Sequence, residues 1–398
     1  MDIAMTTPDP SISAAPRRIA ILDVLRGFAL FGILIANVMV VSTLLTLVGD
    51  GDDLLLFDSA TDRAVLAATD VLFLGKFFLL FSFLFGYSFT LQIEAAGRAG
   101  VAAVPRLLRR CGVLFAIGLV HAFFLWFGDI LTLYAVLCLL LILLRRLRPL
   151  TAAVLGCGLL VATSLLALVP SDGSGPDLEF LDFAWAHEAY TGNPLDTLGA
   201  QLTLAPKFMG VIWTGQGPQA FGMFLLGLAA GKVRLLESGP RLSPWLVRLQ
   251  WIGLLAGGSM AIWMFVGTDD GELPAIGGAL QTLTNPLVTF AYAVTIVRLA
   301  GRGGTSRLAA ALAPAGRMAA TNYIAQSVVF AVVYTGYGFA LVDRVPPLGV
   351  VAIAVVTYIL QLVASAWWLK RHPYGPVEWV MRAVTNAKIP VWRLPRDG

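Results

Sequence analysis

The sequence predicts an all-α integral membrane protein: a polytopic bundle of about ten transmembrane helices with both termini in the cytoplasm. Of its 398 residues, 58% are hydrophobic and only 13% carry a charge, against roughly 25% charged residues in an average soluble domain. Long apolar runs recur along the chain, and crossing a bilayer takes about 20 such residues. Because backbone polar groups in lipid must be bonded within their own segment, runs of this length indicate helices rather than barrel strands.

The sign of the charged residues alternates between successive gaps in the apolar pattern. Short loops that carry Lys and Arg are retained on the cytoplasmic side of a membrane, so the alternation predicts a multi-pass protein of the cytoplasmic (plasma) membrane. The net charge of +4 is then a topology signal for a protein in a lipid bilayer, and we expect no nucleic-acid partner. The basic gaps are 98–110, 145–148, 232–248 and 298–307, and the acidic gaps are 50–62, 172–196 and 269–272.

The apolar runs divide the chain into three parts. We expect a disordered cytoplasmic tail over 1–18, a transmembrane bundle over 19–370 with an extracytoplasmic loop at 171–206, and a cytoplasmic interfacial tail over 371–398. The predicted spans are 20–48, 67–93, 107–127, 130–147, 151–170, 211–231, 246–267, 275–300, 318–341 and 347–370.

The first predicted span carries two ionisable side chains and an amide. Ionisable groups inside a membrane are costly and face the bundle interior or a cavity, which makes them candidates for function. Asp23 and Arg26 are three residues apart and can pair on one helix. Asn37 follows Arg26 by eleven residues, about three turns, and therefore lies on the same face. The alternative is purely structural: an ion pair and an amide that only lock this helix into the bundle.

Lys76 lies in the second predicted span, about one or two turns from the outer surface. It either extends to the surface, as lysines near span ends do, or faces a cavity and attracts an anionic group. We favour the cavity.

His121 is the only histidine inside a predicted span, about 18 Å along the helix from Arg109 and on the same face as Arg110. A buried histidine is often only a packing residue, but imidazole titrates near neutrality and is the commonest general base. Asp129, in the turn that follows, is explained as the N-cap of the next helix. We expect Tyr134, rather than Asp129, to lie level with His121.

The ninth predicted span carries two amides, Asn322 and Gln326, one turn apart on one face. Arg317 stands at its cytoplasmic entrance, either as an ordinary topology anchor or as a ligand of an anionic group. After the tenth span, the pattern around Glu378 and Arg382 predicts a short interfacial helix at the inner surface.

Several enzyme classes lack their sequence signatures here. The patterns GxxxxGK[ST], HExxH and GxSxG are absent, which argues against phosphate-loop ATPases, zinc proteases and serine hydrolases. Cys111, Cys138 and Cys157 lie in apolar runs at irregular spacing and predict neither a disulfide nor a metal site. We therefore expect no metal cofactor.

Five segments together resemble the YeiB-like bacterial membrane proteins: LDVLRGFALFGILIAN, GKFFLLFSFLFG, RRCGVLFAIGLVHAFFLWFGDILTLYA, GRMAATNYIAQS and YGPVEWVMRAVT. That family is similar to the transmembrane acyltransferases that include the heparan-alpha-glucosaminide N-acetyltransferases. Those enzymes move an acyl group from acyl-CoA to a sugar by means of an intramembrane histidine. The resemblance implies that His121 is the matching histidine. It also implies that the following residues are supporting groups: Asp23, Arg26, Asn37, Lys76, Asn322 and Gln326.

The leading hypothesis is therefore an acyltransferase that uses cytoplasmic acyl-CoA and a sugar-like or otherwise hydroxylated small-molecule acceptor. His121 would act as general base or carry the acyl group, and Asn37, Asn322 or Gln326 would donate to the oxyanion, with Lys76 nearby. The residues expected around the phosphates of acyl-CoA are Asp23, Arg26, Arg109, Arg110 and Arg317.

A proton-coupled secondary transporter or permease is the alternative. A buried Asp23–Arg26 pair, Lys76 and His121 can also form a proton relay. A third reading is a non-catalytic membrane partner of an envelope-assembly complex. A homo-oligomer is left open.

Overall fold

The computed structural model describes residues 20–44, 56–168, 181–237, 244–266, 275–301 and 306–395, and its regular secondary structure over these ranges is helical throughout. The predicted tail at 1–18 and the first part of the predicted loop at 171–206 lie outside the described residues. The helices are α1 Ala20–Ser42, α2 Ala60–Leu72, α3 Phe77–Arg98, α4 Ala103–Phe124, α5 Leu131–Leu144, α6 Pro149–Leu166, α7 Phe183–Thr191, α8 Pro194–Gly215, α9 Gly217–Lys232, α10 Pro244–Val266, α11 Ala275–Leu299, α12 Arg307–Arg317, α13 Ala319–Tyr334, α14 Pro347–Trp368 and α15 Pro376–Asn386.

Seven helical segments of the described chain are long and apolar enough to cross a bilayer. They are Ala20–Ser42, Ala60–Arg98 (α2 and α3 together), Ala103–Phe124, Pro149–Leu166, Pro244–Trp263, Ile276–Leu299 and Pro347–Trp368. The apolar helices α5 and α13 are shorter. The predicted all-helical, multi-pass membrane fold is therefore confirmed, although single spans differ from their predicted limits.

The predicted span at 211–231 is wrong because the chain divides at Gln216. Helix α8 ends at Gly215 and α9 begins at Gly217, with Pro218 in its first turn. Proline has no N–H to bond to the preceding turn, so a continuous helix through this point would lose a hydrogen bond. The break places Gln216 at the junction of two helices.

The predicted span at 318–341 starts where it was expected, but it ends earlier. Met318 adopts φ −110° and ψ 34°, which separates α12 from α13, and α13 ends at Tyr334 where Thr335 becomes extended. Arg317 is therefore the last residue of one helix and lies directly before the next. The short helix expected after the tenth span is present as α15.

Helix α1 is the most buried of the seven candidate spans, and it packs against α3, α12, α13 and α14. Two glycines bring α1 and α12 together: a side chain at Gly27 would overlap the backbone oxygen of Leu312, and one at Gly316 that of Asp23. Small residues allow membrane helices to approach this closely. The contact holds Arg26, on α1, near the end of α12.

Candidate active site

His121 lies in the last turn of α4 and forms a hydrogen bond with each ring nitrogen. Its Nδ1 is 2.9 Å from Oδ1 of Asp129, and its Nε2 is 2.7 Å from Oγ of Ser327. All three residues are at most 1% exposed. Asp129, His121 and Ser327, which we call the triad, have the connectivity of the Asp–His–Ser groups that activate a serine on several unrelated folds.

Asp129 fixes which ring nitrogen of His121 carries hydrogen. Its Oδ2 accepts a hydrogen bond from the backbone N–H of Thr132 at 2.7 Å, so the bond expected of a capping residue at the start of α5 is present. Its Oδ1 faces Nδ1, and since a carboxylate oxygen accepts, Nδ1 donates to it. The lone pair of Nε2 then faces the hydroxyl of Ser327, which donates.

The expectation that Tyr134, rather than Asp129, lies level with His121 is wrong. The chain turns back directly after α4 and brings the carboxylate onto the imidazole. Gly118, one turn before His121, makes room for this turn, because a Cβ there would lie 2.7 Å from the backbone nitrogen of Thr132 and 3.0 Å from Oδ2 of Asp129. The hydroxyl of Tyr134 instead donates to a backbone carbonyl of α3 at 2.8 Å.

A cavity of about 410 Å³ lies between α1, α3, α4, α13 and α15. Five guanidinium groups and one carboxylate, that of Glu378, line it, together with apolar side chains. We name it the basic cavity. Its arginines are Arg26, Arg106, Arg110, Arg317 and Arg382.

Two of these arginines are tied to neighbouring groups. Nη1 of Arg26 donates to Oδ1 of Asp23 at 2.9 Å, the predicted ion pair, and its Nη2 donates to Oγ of Ser88 at 2.5 Å. Nη2 of Arg317 donates to the backbone oxygen of Pro373 at 3.4 Å. These bonds orient both side chains along the wall of the basic cavity.

Three arginines, Arg106, Arg110 and Arg382, have no ion pair within the described part of the chain. The guanidinium of Arg110 lies 5.5 Å from the ring centre of Phe85, and its buried Nε has no hydrogen-bond partner among the described residues. Arg382 lies 4.6 Å from the ring centre of Tyr374. Since a partly buried cation without an anion is unfavourable, this wall is suited to an anionic ligand.

Glu378 does not neutralise these arginines. Its Oε1 accepts from the backbone N–H groups of Ala320 at 2.7 Å and Thr321 at 3.1 Å, and its Oε2 accepts from Oγ1 of Thr321 at 2.6 Å. The carboxyl group therefore caps the N-terminus of α13, where backbone N–H groups lack partners within the helix. Burial raises the pKa of Glu378.

A second cavity, of about 320 Å³, is lined without any charged residue of the described chain. We name it the amide cavity after Asn37, Gln216, Gln219 and Asn285, which line it together with aromatic rings. None of these four side chains bonds to another described residue. Trp126, which is 2% exposed, also lines this cavity, and its indole N–H has no hydrogen-bond partner among the described residues.

Three residues line both cavities and form the partition between them: Ile33, Ile130 and Tyr323. The ring of Tyr323 packs on the imidazole of His121, with centroids 4.9 Å apart, one turn before Ser327 on α13. Its buried hydroxyl makes no hydrogen bond of normal geometry to a described residue. The partition therefore adjoins the triad and contributes a vacant hydrogen-bond donor between the cavities.

Over the described residues, no group of three or more His, Cys, Asp or Glu side chains is placed to hold a metal ion. The basic cavity presents a different chemistry. Guanidinium groups match phosphate oxygens in geometry and charge. The arrangement as a whole places an arginine-lined wall near a buried Asp–His–Ser group.

Residues 230–388 match the family described as "Protein of unknown function (DUF418)". The uncharacterized protein YxaH of Bacillus subtilis (strain 168) is 32% identical to this chain over 399 residues, which cover 92% of the chain and 94% of the relative. The chain belongs to the YeiB-like family. YeiB of Escherichia coli (strain K12) is 25% identical over 92% of the chain and 95% of its own length. An uncharacterized 39.9 kDa protein in the amylase 3' region of Bacillus acidopullulyticus is 28% identical over 95% of the chain and 97% of its own length.

The structure places most of the predicted donor-binding residues of this YeiB-like chain at the basic cavity. Arg26, Arg110 and Arg317 line it, and Asp23 reaches it through Arg26. Arg109 is not among the lining residues; its Nε donates to a backbone carbonyl of α15 at 3.2 Å.

The predicted amides fall into two groups. Asn37 lines the amide cavity, whereas Asn322 and Gln326 line neither cavity. Nδ2 of Asn322 donates to Oγ of Ser365 at 2.9 Å, and Nε2 of Gln326 donates to Oε1 of Gln361 at 3.0 Å. These bonds join α13 to α14, so both amides stabilise the helix that carries part of the triad.

Lys76 lies outside both cavities. It is 4% exposed, and its Nζ donates to the backbone oxygen of Asp70 at 2.9 Å. Its own backbone oxygen accepts from Oγ1 of Thr289 at 2.9 Å. Lys76 was expected to face a cavity, but it faces neither the basic cavity nor the amide cavity.

Ser327 is the residue that sequence reasoning misses. A serine in an apolar helix usually bonds its own backbone, and nothing local distinguishes Ser327 from such a residue. The GxSxG signature describes a strand-to-helix turn, so its absence excludes that turn and not every serine-dependent site. Arg106 carries a weak signal, because it lies one turn before Arg110 on the same helix face.

Proposed function

We propose that this YeiB-like protein is a membrane acyltransferase that moves an acyl group from acyl-CoA to a hydroxyl or amine of a sugar-like acceptor. One observation carries the proposal. The Asp129–His121–Ser327 triad adjoins, through Tyr323, both a cavity lined by five arginines and an uncharged cavity lined by amides. A donor site, an acceptor site and a proton acceptor thus meet at one partition.

The basic cavity suits the donor. Acyl-CoA combines phosphate groups with a long, weakly polar arm that ends in the thioester. The unpaired guanidinium groups of Arg106, Arg110 and Arg382 would bind phosphate oxygens, and the apolar lining toward Leu84 and Leu114 would accept the arm. The positive-inside rule favours a cytoplasmic position for this arginine-rich end, where acyl-CoA is present.

The amide cavity suits the acceptor. Its amides and the indole N–H of Trp126 offer donors and acceptors without a charge, and aromatic rings such as Phe77 and Phe208 complete the wall. Buried polar groups normally have hydrogen-bond partners, so unpaired amides inside a membrane helix bundle favour a hydroxyl-rich ligand. An uncharged sugar-like molecule meets both requirements.

The partition would hold the reacting atoms. His121, oriented by Asp129, accepts a proton from the attacking group and returns it to the thiolate that leaves. The hydroxyl of Tyr323 is free to donate to the oxygen of the thioester carbonyl as negative charge develops there. This donor replaces Asn322 and Gln326, whose amides are already bonded to α14.

The test uses the full-length protein in lipid nanodiscs, a series of acyl-CoA donors from acetyl to palmitoyl, and a reagent that detects the free thiol of CoA. Glucosamine and glycerol serve as probe acceptors. We expect CoA release that an acceptor accelerates, and a loss of at least about 10³-fold in His121→Ala, because general base and orientation are lost together. His187→Ala is the matched control, since this partly exposed histidine bonds to Asp343 at 2.8 Å outside both cavities. Absence of CoA release with every donor, or an active His121→Ala, would overturn the proposal.

A secondary transporter is the second candidate, because three residues line both cavities. Movement of Tyr323 would connect them into one path across the bundle, and the His121–Asp129 pair would supply a protonation site. Uptake of an unmodified solute into proteoliposomes, without release of CoA, would favour this function over acyl transfer.

A further inference from the structure

We propose that Ser327 is a catalytic nucleophile that carries the acyl group as a serine ester between the donor and the acceptor. The inference rests on the proposed acyl transfer and names the residue that performs its first step. It also divides the reaction into two stages, one at each cavity.

Both ring nitrogens of His121 are engaged. Nδ1 donates to Asp129, and Nε2 receives the hydrogen bond of Ser327 at 2.7 Å. The hydroxyl that the imidazole is placed to deprotonate is therefore that of Ser327. A direct attack by an acceptor hydroxyl would first require the His121–Ser327 bond to break, whereas attack by Ser327 uses the bond as it stands.

The hydrogen bond of Ser327 differs from that of other serines in these helices. Oγ of Ser82, Ser88 and Ser164 each donates to the carbonyl four residues earlier, at 2.8, 2.5 and 3.0 Å. That is the common fate of a serine in an apolar helix. Ser327 instead directs its hydroxyl across the bundle to the imidazole of another helix, as an activated nucleophile does.

Access to Ser327 runs past Tyr323. Tyr323 lies one turn earlier on the same face of α13, packs on His121 and lines both cavities. Rotation of this one side chain would open Ser327 to the basic cavity and then to the amide cavity. The acyl group can thus be received on one side of the partition and delivered on the other, while donor and acceptor never meet.

The two stages balance. In the first, Oγ of Ser327 attacks the thioester carbonyl, its proton passes to Nε2 of His121, and the carbon–sulfur bond breaks as the CoA thiolate takes that proton. In the second, an acceptor hydroxyl gives its proton to Nε2 and attacks the serine ester. The ester bond breaks, and the proton returns to Oγ of Ser327.

The first experiment detects the ester. Protein in nanodiscs is mixed with acetyl-CoA without acceptor, quenched in acid and analysed by intact and peptide mass spectrometry. We expect one acetyl group on Ser327, loss of both acetylation and transfer in Ser327→Ala, and an acetyl thioester that hydroxylamine cleaves in Ser327→Cys. Ser164→Ala, a buried serine remote from His121, is the matched control and should behave as wild type. If Ser327→Ala releases CoA and transfers the acyl group within about threefold of wild type, Ser327 is not the nucleophile, although the proposed function stands.

The second experiment does not depend on acyl-CoA. A small alkyl fluorophosphonate forms a bond from phosphorus to an activated serine oxygen and expels fluoride. We expect labelling at Ser327 that both His121→Ala and Ser327→Ala abolish. If wild type releases no CoA but is labelled at Ser327, the proposed donor is wrong and the nucleophile assignment stands. If neither acetylation nor labelling occurs at Ser327, the nucleophile assignment is overturned.

Discussion

The basic cavity and the amide cavity share a wall, yet they offer opposite chemistry. Ile33, Ile130 and Tyr323 line both. On one side the lining holds five arginines and one carboxyl group; on the other it holds amides and aromatic rings and no charge. Such a contrast is expected where one bundle must recognise two ligands that differ in charge.

The difference has an energetic reason. A cation is costly in a low-dielectric environment and less so where water is near, so phosphate recognition belongs at an end of the bundle. Hydrogen bonds between neutral groups strengthen where water is excluded, so a neutral acceptor can bind deeper. Substitutions in one cavity should therefore impair one substrate and leave the other almost unaffected.

Arg110→Ala should show the largest difference between its effects on the two substrates. Its guanidinium has no ion pair in the described chain, so its removal deletes the proposed contact to phosphate without breaking an internal ion pair. A hydrogen bond to a charged group contributes roughly 1.5–3 kcal/mol, which predicts a rise in KM for acyl-CoA of roughly 10- to 100-fold and little change in kcat. Arg98→Ala, which removes an exposed arginine paired with Glu94 at 3.6 Å, is the control. Equal effects of the two variants would show that general charge, and not this cavity, binds the donor.

A smaller effect, on the acceptor instead of the donor, is expected from Asn37→Leu in the amide cavity. The substitution conserves size but removes two donors and an acceptor, and a neutral hydrogen bond contributes about 1 kcal/mol. KM for the acceptor should rise by roughly fivefold, while KM for acyl-CoA stays unchanged. Steady-state kinetics with each substrate varied in turn measures both. A rise in KM for acyl-CoA in this variant would show that the two cavities do not each bind one substrate.

The smallest effect concerns Glu378→Gln. A glutamine oxygen can still accept from the N–H groups at the start of α13, whereas the one carboxylate in the lining of the basic cavity is lost, so KM for acyl-CoA should fall by about twofold. The pKa of Glu378 is raised by burial, so the folded state binds a proton here more tightly than the unfolded state does. Its contribution to stability is present below the pKa of an exposed glutamate and is lost as pH rises through the raised value. Thermal unfolding followed between pH 4 and 8 should therefore show a smaller pH dependence in Glu378→Gln than in wild type.

The fold was predictable because a bilayer imposes a strong and local rule. Composition and run length alone establish helices, and the Asp23–Arg26 pair follows from spacing on one helix. The helix break at Gln216 was missed because the predicted span at 211–231 ran through Gly215, Gly217 and Pro218 as one segment. The break at Met318, in contrast, coincides with the predicted start of the span at 318–341.

The site was predictable only in part. His121 and three of the arginines stand out because a charge or imidazole in an apolar run is rare. The triad could not be found, since Ser327 and His121 are 206 residues apart and their contact depends on how α13 packs against α4. Lys76 is the opposite case. It stands out in the sequence, but nothing in the sequence indicates that its ammonium group bonds to the backbone oxygen of Asp70.

The contact between Gly27 and Gly316 also sets an order of assembly. A polypeptide emerges from the ribosome N-terminus first, so α1 enters the membrane long before α12, its closest partner, has been made. Until α12, α13 and α15 have all been made, the basic cavity lacks Arg317 and Arg382, the partition lacks Tyr323, and His121 lacks its hydrogen bond to Ser327. A nascent chain therefore holds the imidazole and its carboxylate but neither the serine nor the complete basic cavity. The compartment of the proposed reaction is complete only when the last quarter of the protein has been made, so an unfinished chain could not carry out the proposed transfer.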